Sequence, residues 1–210
     1  ADELVQVGGG EPRHGATALI GAVTGPGVSG LLPHGGGWVA IAGEGGHVAF
    51  APGNEEEVAL WRYAQRRFGE HVSAERFLSG PGLELIFDAL AEADGEAAGQ
   101  LPAAAISERG LSGSCPRCAQ TLALFCGMLG NAAANLAVTL GAVGGVYIGG
   151  GIVPRFGELF ARSPFRARFE AKGRFRDYTR ALPVYVIHSA YPALTGVQAA
   201  LREHLGERDA

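Results

Sequence analysis

A mixed-sheet α/β domain is the fold class that this sequence predicts, and three observations predict it. Three short β-type runs spaced by turn residues fill the early chain, a long uncharged apolar stretch lies in its middle, and helix and strand signals alternate afterwards. The three runs, residues 17–20, 27–32 and 37–41, are parted by turns at 23–26 and 33–36 and read as an antiparallel meander. From Asn54 the period changes. Asn54 is an N-cap, Glu55, Glu56 and Glu57 put negative charge in the first turn, and Val58, Trp61, Tyr63 and Phe68 carry a helix to Gly69. Residues 81–94 form a second helix ended by Gly95, 103–109 a third, and 118–140 a fourth, central one. A buried strand follows at 143–148, then a sharp turn at Gly149, Gly150 and Gly151, with Pro154 as a first-turn residue of the next helix. Residues 182–187 are a last strand and 192–205 a last helix. No repeat and no composition break marks a linker, so the sequence predicts one domain.

Composition narrows the function classes. The chain has 210 residues, 47% hydrophobic and 18% charged, with net charge −4, enough for one core. Glycine occurs 34 times, far above the usual share of about 7%, yet without the every-third period of collagen. Lys172 is the only lysine and is followed by Gly173, so no Walker-type phosphate loop exists in this sequence. Cys115, Cys118 and Cys126 are an odd number, and no charged-then-apolar leader opens the chain; the expectation is a reducing, cytoplasmic setting. The uncharged stretch 119–154 exceeds the roughly 20 residues that a spanning helix needs. Asn131 and Asn135 would lie mid-span, and Gly141, Gly144 and Gly145 interrupt it, so a buried helix followed by a buried strand is expected, with no membrane partner.

Four places can carry chemistry. The glycine-rich link Gly21 to Gly27, with Thr24 and Gly25 inside it, lets backbone N–H groups approach an anion and adds a hydroxyl donor; an ordinary hairpin turn is the plainer alternative. Gly43-Glu44-Gly45-Gly46-His47 brings a carboxylate and an imidazole close to a ligand, a set suited to the vicinal diol of a sugar. Its alternative is a Glu44–His47 pair within a turn. Glu75 is a third such group, its alternative a surface ion pair with Arg76. Gly149, Gly150 and Gly151 follow a strand as in a dinucleotide fingerprint, but Pro154 stands where the third glycine belongs, which disfavours NAD and leaves a base or ribose against the glycines.

Two other motifs read as structural. Cys115-Pro116-Arg117-Cys118 is half of a zinc site without a second half, and no metal is expected there. Arg162, Arg166, Arg168, Lys172, Arg174, Arg176 and Arg180, interleaved with Phe165, Phe169, Phe175 and Tyr178, read as an amphipathic helical hairpin with inward aromatics rather than a nucleic-acid face, given the acidic balance.

In order, these pieces resemble the bacterial glucokinases of the hexokinase and actin-like ATPase superfamily. The resemblance rests on residues 43–48 with Phe50, Ala51 and Pro52, on Ser73, Ala74, Glu75 and Arg76 with residues 78–82, and on residues 149–155, and it runs nearly end to end from Val5. It implies a ribonuclease H-like fold, a mixed sheet flanked by helices. It implies that Glu44, His47 and Glu75 hydrogen-bond glucose, that Gly21, Thr24, Gly25 and Gly27 belong to a phosphate loop, and that Gly149, Gly150 and Gly151 lie against adenosine. A cytoplasmic, Mg-ATP-dependent enzyme making glucose 6-phosphate, often a homodimer, is implied as well. Sugar kinases and repressors with a zinc cluster after the Glu-Gly-Gly-His element carry cysteines where this chain has none, which points to the zinc-free branch.

Two departures bear on activity. Val23 precedes Thr24 and Gly25 where the family usually has glycine, and Pro26 stands where leucine is common; a β-branched side chain there weakens close approach to phosphate. The larger departure is the absence of the Asp-x-Gly-Gly-Thr turn and of the Asn-Asp loop that supplies the general base. The five aspartates, Asp2, Asp88, Asp94, Asp177 and Asp209, match neither. The expectation is therefore that residues 1–210 are the large C-terminal domain of a glucokinase without its small N-terminal domain, catalytically incomplete alone. The alternative is a non-catalytic sugar-binding or regulatory module on the same fold.

Overall fold

In the computed structural model, which describes residues 3–22, 27–97 and 99–205, side-chain alternation decides which face of the sheet is buried. In β2 (Thr17–Gly21), Ala18 and Ile20 are buried and Leu19 is turned the other way. The same alternation buries Val146 and Ile148 of β5 (Val146–Gly149) and Val184 and Val186 of β6 (Val184–Ile187). With β1 (Leu4–Gln6), β3 (Gly27–His34) and β4 (Gly37–Gly43) the six strands form one mixed sheet in the order β1-β6-β5-β2-β3-β4.

Strands β2, β3 and β4 are the expected antiparallel meander, while β2 pairs parallel with β5 and β5 parallel with β6. The buried strand after the central helix starts three residues later than expected, because Gly144 and Gly145 form a turn before it, and it runs through Gly149. Strand β1 is new to the sequence reading. Its three residues are all exposed and join β6 antiparallel, Leu4 opposite Ile187, so no burial period announces it.

The helices form where their caps predict. In α1 (Glu55–Phe68) the Asn54 side chain accepts from the Glu57 N–H at 2.8 Å. In α2 (Gly80–Ala93) Ser79 accepts from the Gly82 N–H at 3.1 Å, with Pro81 in the first turn. After α3 (Ala103–Leu111) comes α4 (Pro116–Leu140), stopped by Gly141 in the left-handed conformation at φ 61°. Helix α4 is long and apolar enough to cross a membrane, yet 67% of its apolar window is buried inside the fold. Its residues Leu122, Phe125, Leu129 and Ala133 are wholly buried in the core that the sheet face and the other helices share.

The arginine-rich segment departs from the expected hairpin. It forms three short helices, α5 (Glu158–Arg162), α6 (Phe165–Glu170) and α7 (Arg176–Ala181), broken at Pro164 and at Gly173. Phe165 and Phe169 do pack inward, but Phe175 is 46% exposed. The last helix, α8 (Pro192–His204), lies where the sequence predicts it.

Several basic side chains of this segment are spent on the protein itself. Arg166 donates to Glu170 Oε1 at 2.7 Å and to the carbonyls of Leu182 and Arg180 at 3.1 and 2.7 Å. Arg168 Nη2 donates to both oxygens of Glu57, at 2.8 and 3.0 Å, and Glu57 Oε2 also accepts from the Gly53 N–H at 2.7 Å. The Glu57 side chain is only 2% exposed, and Arg168 is its ion-pair partner. Removing one partner of such a pair leaves a buried charge uncompensated. The Arg168→Ala variant is expected to lose about 3–5 kcal/mol of unfolding free energy, read from urea denaturation. A loss below about 1 kcal/mol would show that water reaches Glu57.

Candidate active site

Strand register brings three of the four candidate segments to one edge of the sheet. Strand β2 ends at Gly21, opposite Gly27 where β3 begins; β4 ends at Gly43, opposite Val28; and β5 ends at Gly149, opposite Gly21. At about 4.8 Å between strands, Gly43 and Gly149 stand about 14 Å apart across that edge. The ends of parallel strands are where open α/β sheets bind ligands. Of the expected phosphate loop, Gly21 and Gly27 lie at this edge; Val23, Thr24, Gly25 and Pro26 lie outside the described residues.

The Glu44 segment is built by local hydrogen bonds. Glu44 precedes a one-turn helix, Gly45–His47, and its carbonyl accepts from the His47 N–H at 2.9 Å. The chain then pairs with a distant segment. Phe50 N–H donates to the Val72 carbonyl and Ala74 N–H to the Val48 carbonyl, each at 2.9 Å, around a bridge of Ala49 with Ser73. This short ladder carries Glu75 to His47, and Nδ1 of His47 lies 3.3 Å from Oε2 of Glu75. Both side chains stay open to solvent, His47 at 65% and Glu75 at 32% exposure. The three sugar-site candidates are thus gathered on one loop pair.

Both plainer alternatives fail here. His47 pairs with Glu75, not with Glu44, whose exposed carboxylate has no partner among the described residues. Arg76 turns away from Glu75 and stacks its guanidinium over Phe68, 4.1 Å from the ring centroid. The sequence reading missed His71, whose Nε2 donates to the His47 carbonyl at 2.9 Å and holds the one-turn helix from outside. No local pattern signals that contact.

Beneath the loop lies a cavity of about 270 Å³, walled by groups such as Ile20, Val28, Phe50 and Met128. Its walls are mostly apolar, whereas Glu44, His47 and Glu75 carry their polar groups on the outer, exposed side of the loop. Asn131 and Asn135 border the cavity, and Lys172 Nζ donates to their side-chain oxygens at 2.5 and 2.7 Å. Burial first, and then the Arg168 charge, pull the Lys172 ammonium below its usual range.

The glycine turn after β5 is shaped by close approach. Gly150 has φ +91°, and a Cβ there would stand 2.3 Å from the Ala22 carbonyl oxygen. The turn is thereby packed against the chain leaving β2, with Ala22 N–H donating to the Gly149 carbonyl at 3.3 Å. At Gly149, which is buried, a Cβ would make ordinary contacts with Leu19, Gly21 and Ile187, whereas at Gly151 it would meet nothing, so only Gly151 borders open space. Among the described residues no three His, Cys, Asp or Glu side chains gather as a metal site.

A sequence model described as glucokinase matches residues 1–204. The chain is 60% identical over 207 residues to a glucokinase of Chromobacterium violaceum and 54% identical over 204 residues to one of Neisseria meningitidis. These matches cover 98% and 97% of this chain but 59% and 62% of those relatives' own lengths. Among solved structures, the glucokinase of an Antarctic psychrotroph superposes with a TM-score of 0.90 at 33% identity, over 97% of this chain and 63% of that one. A ROK family glucokinase from Streptomyces griseus, in complex with glucose and AMPPNP, superposes with a TM-score of 0.56 at 22% identity, over 83% of this chain and 56% of that one, a likeness of fold.

The Gly150→Ala variant is expected to lose about 1–3 kcal/mol of stability through strain and steric conflict, whereas Gly151→Ala changes it by no more than about 0.5 kcal/mol. Denaturant midpoints of the two variants, compared side by side, check this.

Proposed function

The chain belongs to the glucokinase family, and from that premise we propose that it is the glucose-holding part of an enzyme that transfers the terminal phosphoryl group of ATP to a glucose hydroxyl. The observation that carries this reading is the meeting of Glu44, His47 and Glu75 on one loop pair, at the sheet edge where Gly21 and Gly149 end their strands and Gly27 begins its own. Carboxylates accept from sugar hydroxyls, and their charge makes those hydrogen bonds stronger than neutral ones. The Glu75 carboxylate is oriented by His47 Nδ1, and His47 is itself held by His71 and the Glu44 carbonyl. In this reading Glu44 is the free acceptor and Glu75 the oriented one, while His47 positions Glu75 through Nδ1–H and turns Nε2 to a sugar hydroxyl as an acceptor.

The nucleotide side is proposed along the same edge. Gly21, Thr24, Gly25 and Gly27 would offer backbone N–H groups to phosphate, and the turn of Gly149, Gly150 and Gly151 would lie against the nucleoside, with Gly150 fixing its shape and open space at Gly151. Magnesium travelling with ATP neutralises charge on the transferring group when bound. Among the described residues, the aspartates do not fit a protein-held metal or a general base. Asp88 and Asp94 are tied to Arg67 and Arg117 at 3.8 and 2.8 Å, and Asp177 belongs to α7, which is packed on the helical side of the fold. We therefore propose that the base and the metal carboxylate come from sequence beyond these 210 residues, in keeping with the greater length of the relatives.

Losing a hydrogen bond to a charged group costs about 1.5–3 kcal/mol, so Glu75→Ala in the full-length protein is expected to lower kcat/KM for glucose by roughly tenfold to a hundredfold. Wild-type kinetics in that variant would sink the sugar-site assignment. Residues 1–210 expressed alone are expected to show no ATP-dependent glucose phosphorylation. Turnover in the usual kinase range of about 1–100 per second would place the base inside this chain.

A further inference from the structure

The Cys115-Pro116-Arg117-Cys118 motif, unused by sugar or nucleotide, sits at the start of α4. Cys115 is the N-cap of that helix, with extended backbone at φ −137° and ψ 111°, and its Sγ accepts from the Cys118 N–H at 3.4 Å. Pro116 takes the first helical position, where its missing N–H is no loss. Cys118 is wholly buried with Phe87 and Ile106, while Cys115 is partly open at the rim of the same small cluster. Residues three apart in a helix share a face with Cβ atoms about 5–6 Å apart, and a disulfide needs about 3.5–4.5 Å. Closing that gap takes a small move of the N-cap residue, which lies outside the regular helix.

The two thiols are chemically unlike. The Cys118 N–H, then the Cys118 thiol and the nearby Arg109, hold the Cys115 thiol below its ordinary range. Burial, then contact with Cys115, pushes the Cys118 thiol up to about 11. Other charges nearby are Arg117, Asp94 and Glu96, and the Arg117 guanidinium is committed to those two carboxylates at 2.8 and 3.0 Å. Cys126 is buried farther along α4 and pushed up to about 12 by that burial.

We propose that Cys115 and Cys118 form a redox-active dithiol that a small-molecule disulfide oxidises reversibly. The Cys115 thiolate attacks one sulfur of the disulfide, whose S–S bond breaks and whose leaving thiolate takes up a proton. Cys118 then gives its proton to solvent and attacks Cys115 Sγ, expelling the second thiolate, which is protonated in turn. Two protein thiols are oxidised to one disulfide, and one small disulfide is reduced to two thiols. Exposed attacker and buried resolver match the two roles. The pair lies about 20 Å along α4 from Asn131, at about 1.5 Å per residue, so the inference stands apart from the sugar site.

The test uses the full-length protein equilibrated with oxidised glutathione, then digested with trypsin, which cuts after Arg117 between the two cysteines. The expected result is that the two peptides stay joined by a disulfide, separate on reduction, and stay joined in Cys126→Ser. Cys118→Ser is expected to trap glutathione on Cys115, and iodoacetamide at neutral pH to label Cys115 about tenfold faster than Cys118 or Cys126. Two free thiols in excess oxidised glutathione would overturn the proposal, as would a glutathione adduct on wild-type Cys115 that never closes or preferential labelling of Cys118.

Discussion

Parallel strands cannot be joined by a tight turn, so the pairing of β2 with β5 governs much of what lies between them. From Gly21 the chain has to return to the opposite edge of the sheet before Val146 can begin β5 beside Ala18. It does so through β3, β4 and four helices, of which α4 lies on the buried face. The same pairing makes both strands finish at one edge. Because β3 and β4 run back and forth beside β2, the links after β2 and β4 emerge there as well. The gathering of the candidate segments at one edge follows from strand direction before any side chain is considered.

The edge is kept in shape by bonds on its far side. Lys172 reaches from beyond α6 to Asn131 and Asn135 on α4, and Arg168 of α6 reaches Glu57 and Gly53 beside α1. The segment that follows the glycine turn is thus fastened both to the cavity wall beneath the Glu44–His47 loop and to the helix that follows that loop. In the low dielectric of a packed interior such bonds constrain geometry more than they add stability. They commit Arg168 and Lys172 to the protein itself, while Arg174, Arg176 and Arg180 of the same run stay exposed.

Much of this was legible in the sequence where a local rule decides the outcome. Asn54 before three glutamates marks a helix start, because a cap is satisfied within four residues. The meander could be read from alternation, and Glu44, His47 and Glu75 from their glycine-rich settings and the resemblance those settings carry. What could not be read depends on contacts made far along the chain. Strand β1 owes its pairing to β6, almost the whole chain away, and has no buried residue of its own. His71 supports His47 only because the ladder of residues 48–50 with 72–74 brings them together. Gly150 looked like a ligand contact, and its steric demand became visible only once Ala22 was seen behind it.

Helix α4 draws these strands of argument together. Its composition is that of a membrane span, and the reason is that the sheet and the flanking helices press on it from several sides. A helix buried so completely has to place its few polar groups where something meets them. Asn131 and Asn135 sit at the rim of the cavity and are met by Lys172. Thr121 and Thr139 bond back to the carbonyls of Arg117 and Asn135. At the first turn, where N–H groups lack helical partners, a cysteine sulfur takes one of them. A serine or aspartate would cap more strongly there. A thiol in that position therefore gives up capping strength for reactivity, and the second thiol one turn on gives that reactivity a partner.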